Sequence, residues 1–242
     1  QRGVLLMTSI VIVSPARNVW EQVKWKCQAS SSMFSTIILV HLILGFLTSG
    51  GNGSFSTGGS FLSFEASTYT LDAAFLYSII LMFGIGWMLA SGAVLHDQFS
   101  IVTTNQTEVL STFFFFVLLS IFTFVSAVCM LCISVALELL KTNEPLMIVS
   151  QFFSVGTMVL FIVCMLLTST IGYFIRTLFQ FSKVLLGLLA VLLFLLIRMS
   201  GVDSWGVVFG TTSAEIIWRS SLYILLLWGA IFTMRLRREV NR

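Results

Sequence analysis

From Met33 onward the chain is a series of long apolar runs separated by short polar or glycine-rich stretches. A helix needs about 20 residues to cross a hydrocarbon core of about 30 Å. Six runs approach or exceed that length. They predict spans at approximately Met33 to Thr48, Leu71 to Leu95, Thr107 to Leu140, Pro145 to Ile175, Phe179 to Ile197 and Ile216 to Met234. The first is short; the third and fourth are over-long, which predicts tilting or projection beyond the bilayer. No segments alternate with the period of two that a membrane barrel requires. The spans are therefore read as helices, and residues 33–242 as one six-helix membrane domain. The run "GVLLMTSIVIVS", within residues 1–15, is too short to span, and the "PARN" after it lacks the small-residue pattern of a cleaved signal peptide.

Just before the first span, residues 16–32 follow a helical period. On a 100° wheel Val19, Trp20, Val23 and Cys27 share one face, while Arg17, Glu21, Gln22, Lys24 and Lys26 spread over the remainder. This predicts an amphipathic helix lying in the cytoplasmic interface, with Trp20 and Trp25 at headgroup depth and Arg17, Trp20, Glu21 and Lys24 as its candidate interfacial residues.

Composition agrees with the pattern. With 57% hydrophobic residues, 10% charged and a mean hydropathy of +1.02, the chain cannot make a water-facing surface. On the six-span reading, ten of the thirteen Lys and Arg fall on one side: Arg2, Arg17, Lys24, Lys26, Arg176, Lys183, Arg235, Arg237, Arg238 and Arg242. Lys141, Arg198 and Arg219 fall on the other. Positive charge marks the cytoplasmic side, so both termini are expected inside a plasma membrane.

The connection between the second and third spans, "HDQFSIVTTNQTEVLSTFFFF", is then cytoplasmic although it holds no Lys or Arg. Asn105-Gln106-Thr107 matches a glycosylation acceptor, as does Asn52-Gly53-Ser54, but Asn105 with Glu108 three residues on also fits a helix N-cap, and that reading is preferred. Outside, "SGGNGSFSTGGSFLSFEAST" reads as a flexible Gly/Ser tether. "MSGVDSWGVVFGTTSAEIIWRS", between the last two spans, reads as a short re-entrant or interfacial excursion.

The spans carry little chemistry. Glu138, Lys183, Arg198 and Arg219 all lie near span ends, which argues against ion-coupled transport by a mid-membrane carboxylate. His41, the titratable group inside a span, reads as a helix-packing hydrogen bonder. Zinc-protease, nucleophile-elbow and Walker A motifs are absent, so no catalytic residue, metal ligand or cofactor of its own is expected. The Cys129/Cys132 pair reads as packing, and no disulfide is expected. Gly84, Gly86 and Ala90 suggest close helix approach in the second span. Ser150, Gln151, Ser154 and Thr157 offer either interhelical hydrogen bonds or a mildly polar path lining.

Taken together, the basic amphipathic helix, six spans with both ends inside, the short loop between spans two and three, and the apolar excursion between spans five and six resemble the permease subunit of a type-2 ABC exporter. The resemblance covers the chain from about Arg17 on. It implies an all-α, type V exporter-like fold, with a coupling helix in the loop after span two that docks on a separate cytoplasmic ABC ATPase. Phe99, Ile101 and Val102 would then be buried anchors, with His96 and Asn105 in the same loop and Asp97 or Glu108 meeting a basic partner surface. ATP and Mg2+ would be bound by the partner, and the path would form with a second permease copy, in contact with lipid and without nucleic acid. The apolar helices suit a hydrophobic or amphipathic cargo, a peptide or antimicrobial, in a bacterial cell membrane. An ATP-independent channel or scramblase and a scaffold subunit of a larger complex are the alternatives.

Overall fold

The computed structural model describes residues 15–48, 53–59, 62–69, 71–91, 105–141, 147–148, 154–200 and 212–240. Seven helices make up most of it: α1 (Pro15–Ala29), α2 (Ser31–Leu47), α3 (Asp72–Leu89), α4 (Asn105–Lys141), α5 (Val155–Phe181), α6 (Lys183–Ser200) and α7 (Ser213–Val240). Helices α3, α4, α5 and α7 are long and apolar enough to cross a membrane, and α1 with α2, bent by 55° at their junction, makes up to a fifth candidate. At 37 residues α4 is roughly 55 Å long, well beyond the hydrocarbon thickness, as its over-long apolar run implied. The chain is a multi-pass helical membrane protein.

Contacts give the helix directions. Along α2 and α4, His41 meets Ser126 and Thr48 meets Ser134, so these two run parallel. Phe75 packs on Phe161 and Gln180 donates to the Ala90 carbonyl, so α3 and α5 run parallel as well. Trp228 and Arg235 of α7 reach Thr170 and Tyr173 of α5 in the same order. Between α4 and α5 the order reverses, Phe116 meeting Tyr173 and Phe124 meeting Phe161. The helices therefore alternate in direction, and α1 and the end of α7 meet at one end of the bundle.

The α3–α5 seam is the closest approach. A Cβ on Gly86 would overlap the Ser169 carbonyl, and one on Gly172 would overlap the Phe83 carbonyl, so both positions must be glycine for the backbones to touch. Ala90 is fully buried on the same side, whereas Gly84 has open space around it and takes no part. Inside, Phe116, Tyr173 and Trp228 pack edge-to-face, tilted or stacked, with centroids 5.8 to 6.1 Å apart. Outside, Leu39, Leu76, Ile80, Leu188 and Leu225 are exposed, as lipid-facing residues should be.

Two expectations need correction. The connection between the first two predicted spans is not a tether: β1 (Gly53–Gly59) and β2 (Leu62–Tyr69) form an antiparallel hairpin. Its register places Phe55 against Ala66, Thr57 against Phe64 and Ser54 against Ser67. The fourth predicted span also starts later than expected. Met147–Ile148 forms β3, paired parallel to Thr68 and Tyr69 of β2, and α5 starts only at Val155. At its other end α5 runs past Ile175 to Phe181, and Ser182 alone separates it from α6. Of the excursion between the last two spans, residues 201–211 lie outside the described residues and the part from Ser213 on belongs to α7.

We expect Gly86→Ala and Gly172→Ala each to destabilise the protein by about 1–3 kcal/mol, since the added methyl must force two backbones apart. Gly84→Ala should leave stability unchanged or slightly raised. Thermal denaturation in detergent checks all three; equal effects at the three glycines would refute the seam.

Candidate functional site

Polar groups converge where α1 crosses the start of α4. The α1 sequence places Val19, Gln22, Val23 and Lys26 at i, i+3, i+4 and i+7, and this stripe is buried against α4. Gln22 donates to the Thr107 hydroxyl at 3.2 Å. Lys26, only 3% exposed, spends its three donors on α4: the Glu108 carbonyl at 3.2 Å, Ser111 Oγ at 2.8 Å and Thr112 Oγ1 at 2.5 Å. Those hydroxyls also bond the Glu108 carbonyl, at 2.8 Å each, so one backbone carbonyl in the first turn of α4 collects three donors.

The Glu108 carboxylate faces the opposite way, toward α7. It lies 3.8 Å from Arg235 Nη1, with the two side chains 12% and 8% exposed respectively. Arg235 in turn donates to the Tyr173 hydroxyl of α5 at 3.0 Å. Four helices, α1, α4, α5 and α7, are thus joined through one connected set of buried polar groups. With four charged side chains in fifteen residues α1 is the polar arm of the bent pair, and on the interfacial reading Lys26 lies outside the hydrocarbon. Burial pulls its ammonium down to about 8; Glu108 opposes that shift and Arg235 adds to it.

The sequence placed some of these residues and missed others. Glu108 is where a helix start was expected, but its carboxylate is committed to Arg235 rather than turned to an outside partner. Asn105 begins α4; the coupling-loop residues His96, Asp97, Phe99, Ile101 and Val102 lie outside the described residues. Arg17, Trp20, Glu21 and Lys24 are on the exposed face of α1, with Lys24 and Glu21 paired at 3.1 Å. The expected inner face was therefore rolled: Trp20 is outside, and Gln22 and Lys26 are inside. Lys26 and Gln22 were hidden because a hydrophobicity wheel counts lysine and glutamine as outward-facing, and Tyr173 and Arg235 because only the packing of α5 and α7 brings them to this junction. The available signal was the run of hydroxyls at Thr107, Ser111 and Thr112 on one face of α4.

Of the candidate path residues, Ser150 and Gln151 lie outside the described residues, Ser154 is exposed just before α5, and Thr157 is half-buried in its first turn. They do not line a described cavity. The groove that is described holds about 590 Å³ and is lined by Ala16, Val19, Trp20, Gln106, Leu110 and Phe114, beside the Lys26 junction. His41 is fully engaged, its ring nitrogens 2.8 Å from Ser126 and 2.9 Å from Ser78, tying α2 to α4 and α3. The four cysteines are free, Cys129 and Cys132 on the exposed side of α4.

Comparison with known proteins found no matching family model, curated protein or solved structure.

Removing the Glu108 charge should cost about 3 kcal/mol, because Glu108→Gln leaves the buried Arg235 guanidinium without its counter-charge. For Lys26 the sign follows from its lowered value: between about 8 and the ordinary 10.5 the unfolded chain holds a proton that the folded chain has lost, so stability rises with pH across that window. Thermal melts of the wild type should climb from pH 8 to 10 relative to Lys26→Met, which lacks the titrating group. Parallel curves would place Lys26 in water.

Proposed function

We propose that this chain is the permease subunit of an ATP-driven, type-2 ABC exporter, with six transmembrane helices and both termini cytoplasmic. A separate cytoplasmic ATPase would bind ATP and Mg2+ and hydrolyse the nucleotide. The observation that carries this reading is the junction of Lys26 with the first turn of α4. It fastens a charged interfacial helix to the very turn into which the connection 92–104 leads. A push on that connection from a soluble partner would reach α1 and α4 together, and through Glu108 and Arg235 would reach α7. The charge asymmetry supports the same side: Lys24, Lys26, Arg176, Lys183 and Arg235 gather at the α1 end, and Arg219 lies at the opposite end beside Glu215. The cargo is hydrophobic or amphipathic, a peptide or antimicrobial, and its path forms against a second permease copy in a bacterial plasma membrane.

One observation favours a scaffold subunit as the second reading. Phe115, Phe116, Leu119, Met82, Met165 and Tyr173 fill the interior of the bundle, leaving no passage among the described residues. The exporter reading answers this by placing the path between chains.

Subunit composition separates the two. The complex purified from its native membrane in mild detergent should contain, by mass spectrometry, a soluble chain with a Walker A motif. Phe99→Asp or Ile101→Asp should release that chain while leaving the permease folded. Recovery of this chain with membrane subunits only would favour the scaffold, and undiminished association in both variants would remove the connection from the docking surface.

A further inference from the structure

At the corner between α5 and α6 two cations flank one aromatic ring. The Arg176 guanidinium lies 5.5 Å from the Phe179 ring centroid and 5.2 Å from that of Trp87 on α3. Lys183 Nζ lies 5.8 Å from the Phe179 centroid. Cation–π contacts hold such groups in place but leave their charge uncompensated. The ion pairs among the described residues join Lys24 to Glu21, Arg219 to Glu215 and Arg235 to Glu108, and none reaches Arg176 or Lys183. Arg176 Nε is buried with no hydrogen-bond partner among the described residues, and its side chain is half-buried between Trp87 and Phe179. Two fixed positive charges and an unused donor thus meet at one end of the bundle.

The surroundings specify the counter-ion. The corner is at the same end as Lys26 and Arg235, where α3 and α5 finish and Gln180 holds the Ala90 carbonyl at 2.6 Å. Immediately below it α6 presents Val184, Leu185, Leu188 and Val191, all exposed. A soluble phosphate would satisfy the cations and leave that apolar strip bare. A phospholipid satisfies both, its phosphate between Arg176 and Lys183 and its acyl chains along α6. We propose that this corner binds the headgroup phosphate of an anionic phospholipid, annular to α6 and independent of what the chain transports. A zwitterionic lipid also has a phosphate, but its choline cation would sit beside Arg176 and Lys183; the net negative headgroup is the one selected.

The test uses the full chain in nanodiscs of phosphatidylcholine with or without phosphatidylglycerol, read by native mass spectrometry and by thermal melting. Wild-type protein should retain phosphatidylglycerol after release from the disc and melt higher when it is present. Each basic residue near an anionic surface is worth about fivefold in affinity, so Arg176→Gln with Lys183→Gln should lower retained phosphatidylglycerol by about 25-fold. Because the double variant also loses its contacts with Trp87 and Phe179, Lys183→Gln alone, on an exposed side chain, is measured beside it and should give a partial loss with the phosphatidylcholine melt unchanged. Undiminished retention in the double variant would overturn the assignment. So would equal protection of the wild type by inorganic phosphate in pure phosphatidylcholine, which would make the corner a soluble-anion site.

Discussion

Hydrocarbon takes away the force that usually packs helices: a leucine buried against protein gains little over one buried against an acyl chain. What remains is close backbone approach and the need of polar groups for partners. The seam of α3 with α5 supplies the first. With Gly86 under the Ser169 carbonyl and Gly172 under that of Phe83, the two backbones touch, and dispersion contacts that side chains would otherwise block become available. Helix α5 is then the hub of the bundle. Its Tyr173 meets Phe116 of α4 and stacks on Trp228 of α7, and the same Tyr173 receives Arg235. The seam therefore positions the hydroxyl on which one end of the buried polar set depends.

Within that polar set, Lys26 obeys the second requirement. Two cations and one carboxylate out of water cost more to desolvate than their mutual attraction returns unless their hydrogen-bonding groups are met. Lys26 meets the requirement with three oxygens on a single helical turn, an arrangement that admits one roll angle of α1 and one depth. Val19 and Val23 go inward and Trp20 outward because Lys26 must reach Ser111 and Thr112. The lysine thus acts as a register pin: turning the helix by one residue would leave an ammonium buried without partners, a larger penalty than any rearrangement of the apolar residues.

The same distinction explains what could be read from the chain. Helix positions were legible because span length and hydrophobic continuity are local properties, and α2, α3 and α7 lie close to their predicted ranges. The face of α1 was not, because it is decided by a carbonyl and two hydroxyls 82 to 86 residues away. Gly84 and Gly172 look alike in sequence; only the approach of another backbone separates the idle glycine from the essential one. The hairpin failed for a similar reason. Its Gly/Ser composition predicts freedom, yet Ser54 and Phe55 find partners in Ser67 and Ala66, and the edge of β2 then draws Met147 and Ile148 out of what hydropathy alone reads as helix. Glu108 was found as a residue but assigned to the wrong neighbour, since nothing local points from it to Arg235.

Described by its bonds, the bundle divides into two bodies. Helices α1, α2 and α4 are pinned together by Lys26, by His41 with Ser126, and by Thr48 and the Gly45 carbonyl with Ser134. Helices α3, α5 and α7 are held by the glycine seam, by Gln180 with Ala90, and by Trp228 with Thr170. The polar contacts described between the bodies include His41 with Ser78, Thr123 with Met82 Sδ at 3.5 Å, and Glu108 with Arg235. The ion pair is the longest of these, and it lies at the bundle end, where water can replace either partner as it opens. Contacts inside each body have no such substitute in hydrocarbon. If the bundle has a plane of relative motion, its weakest edge is therefore at Glu108, beside the junction where α1 and the connection 92–104 meet α4, and His41 lies deeper along the same plane as the contact that would have to act as its hinge.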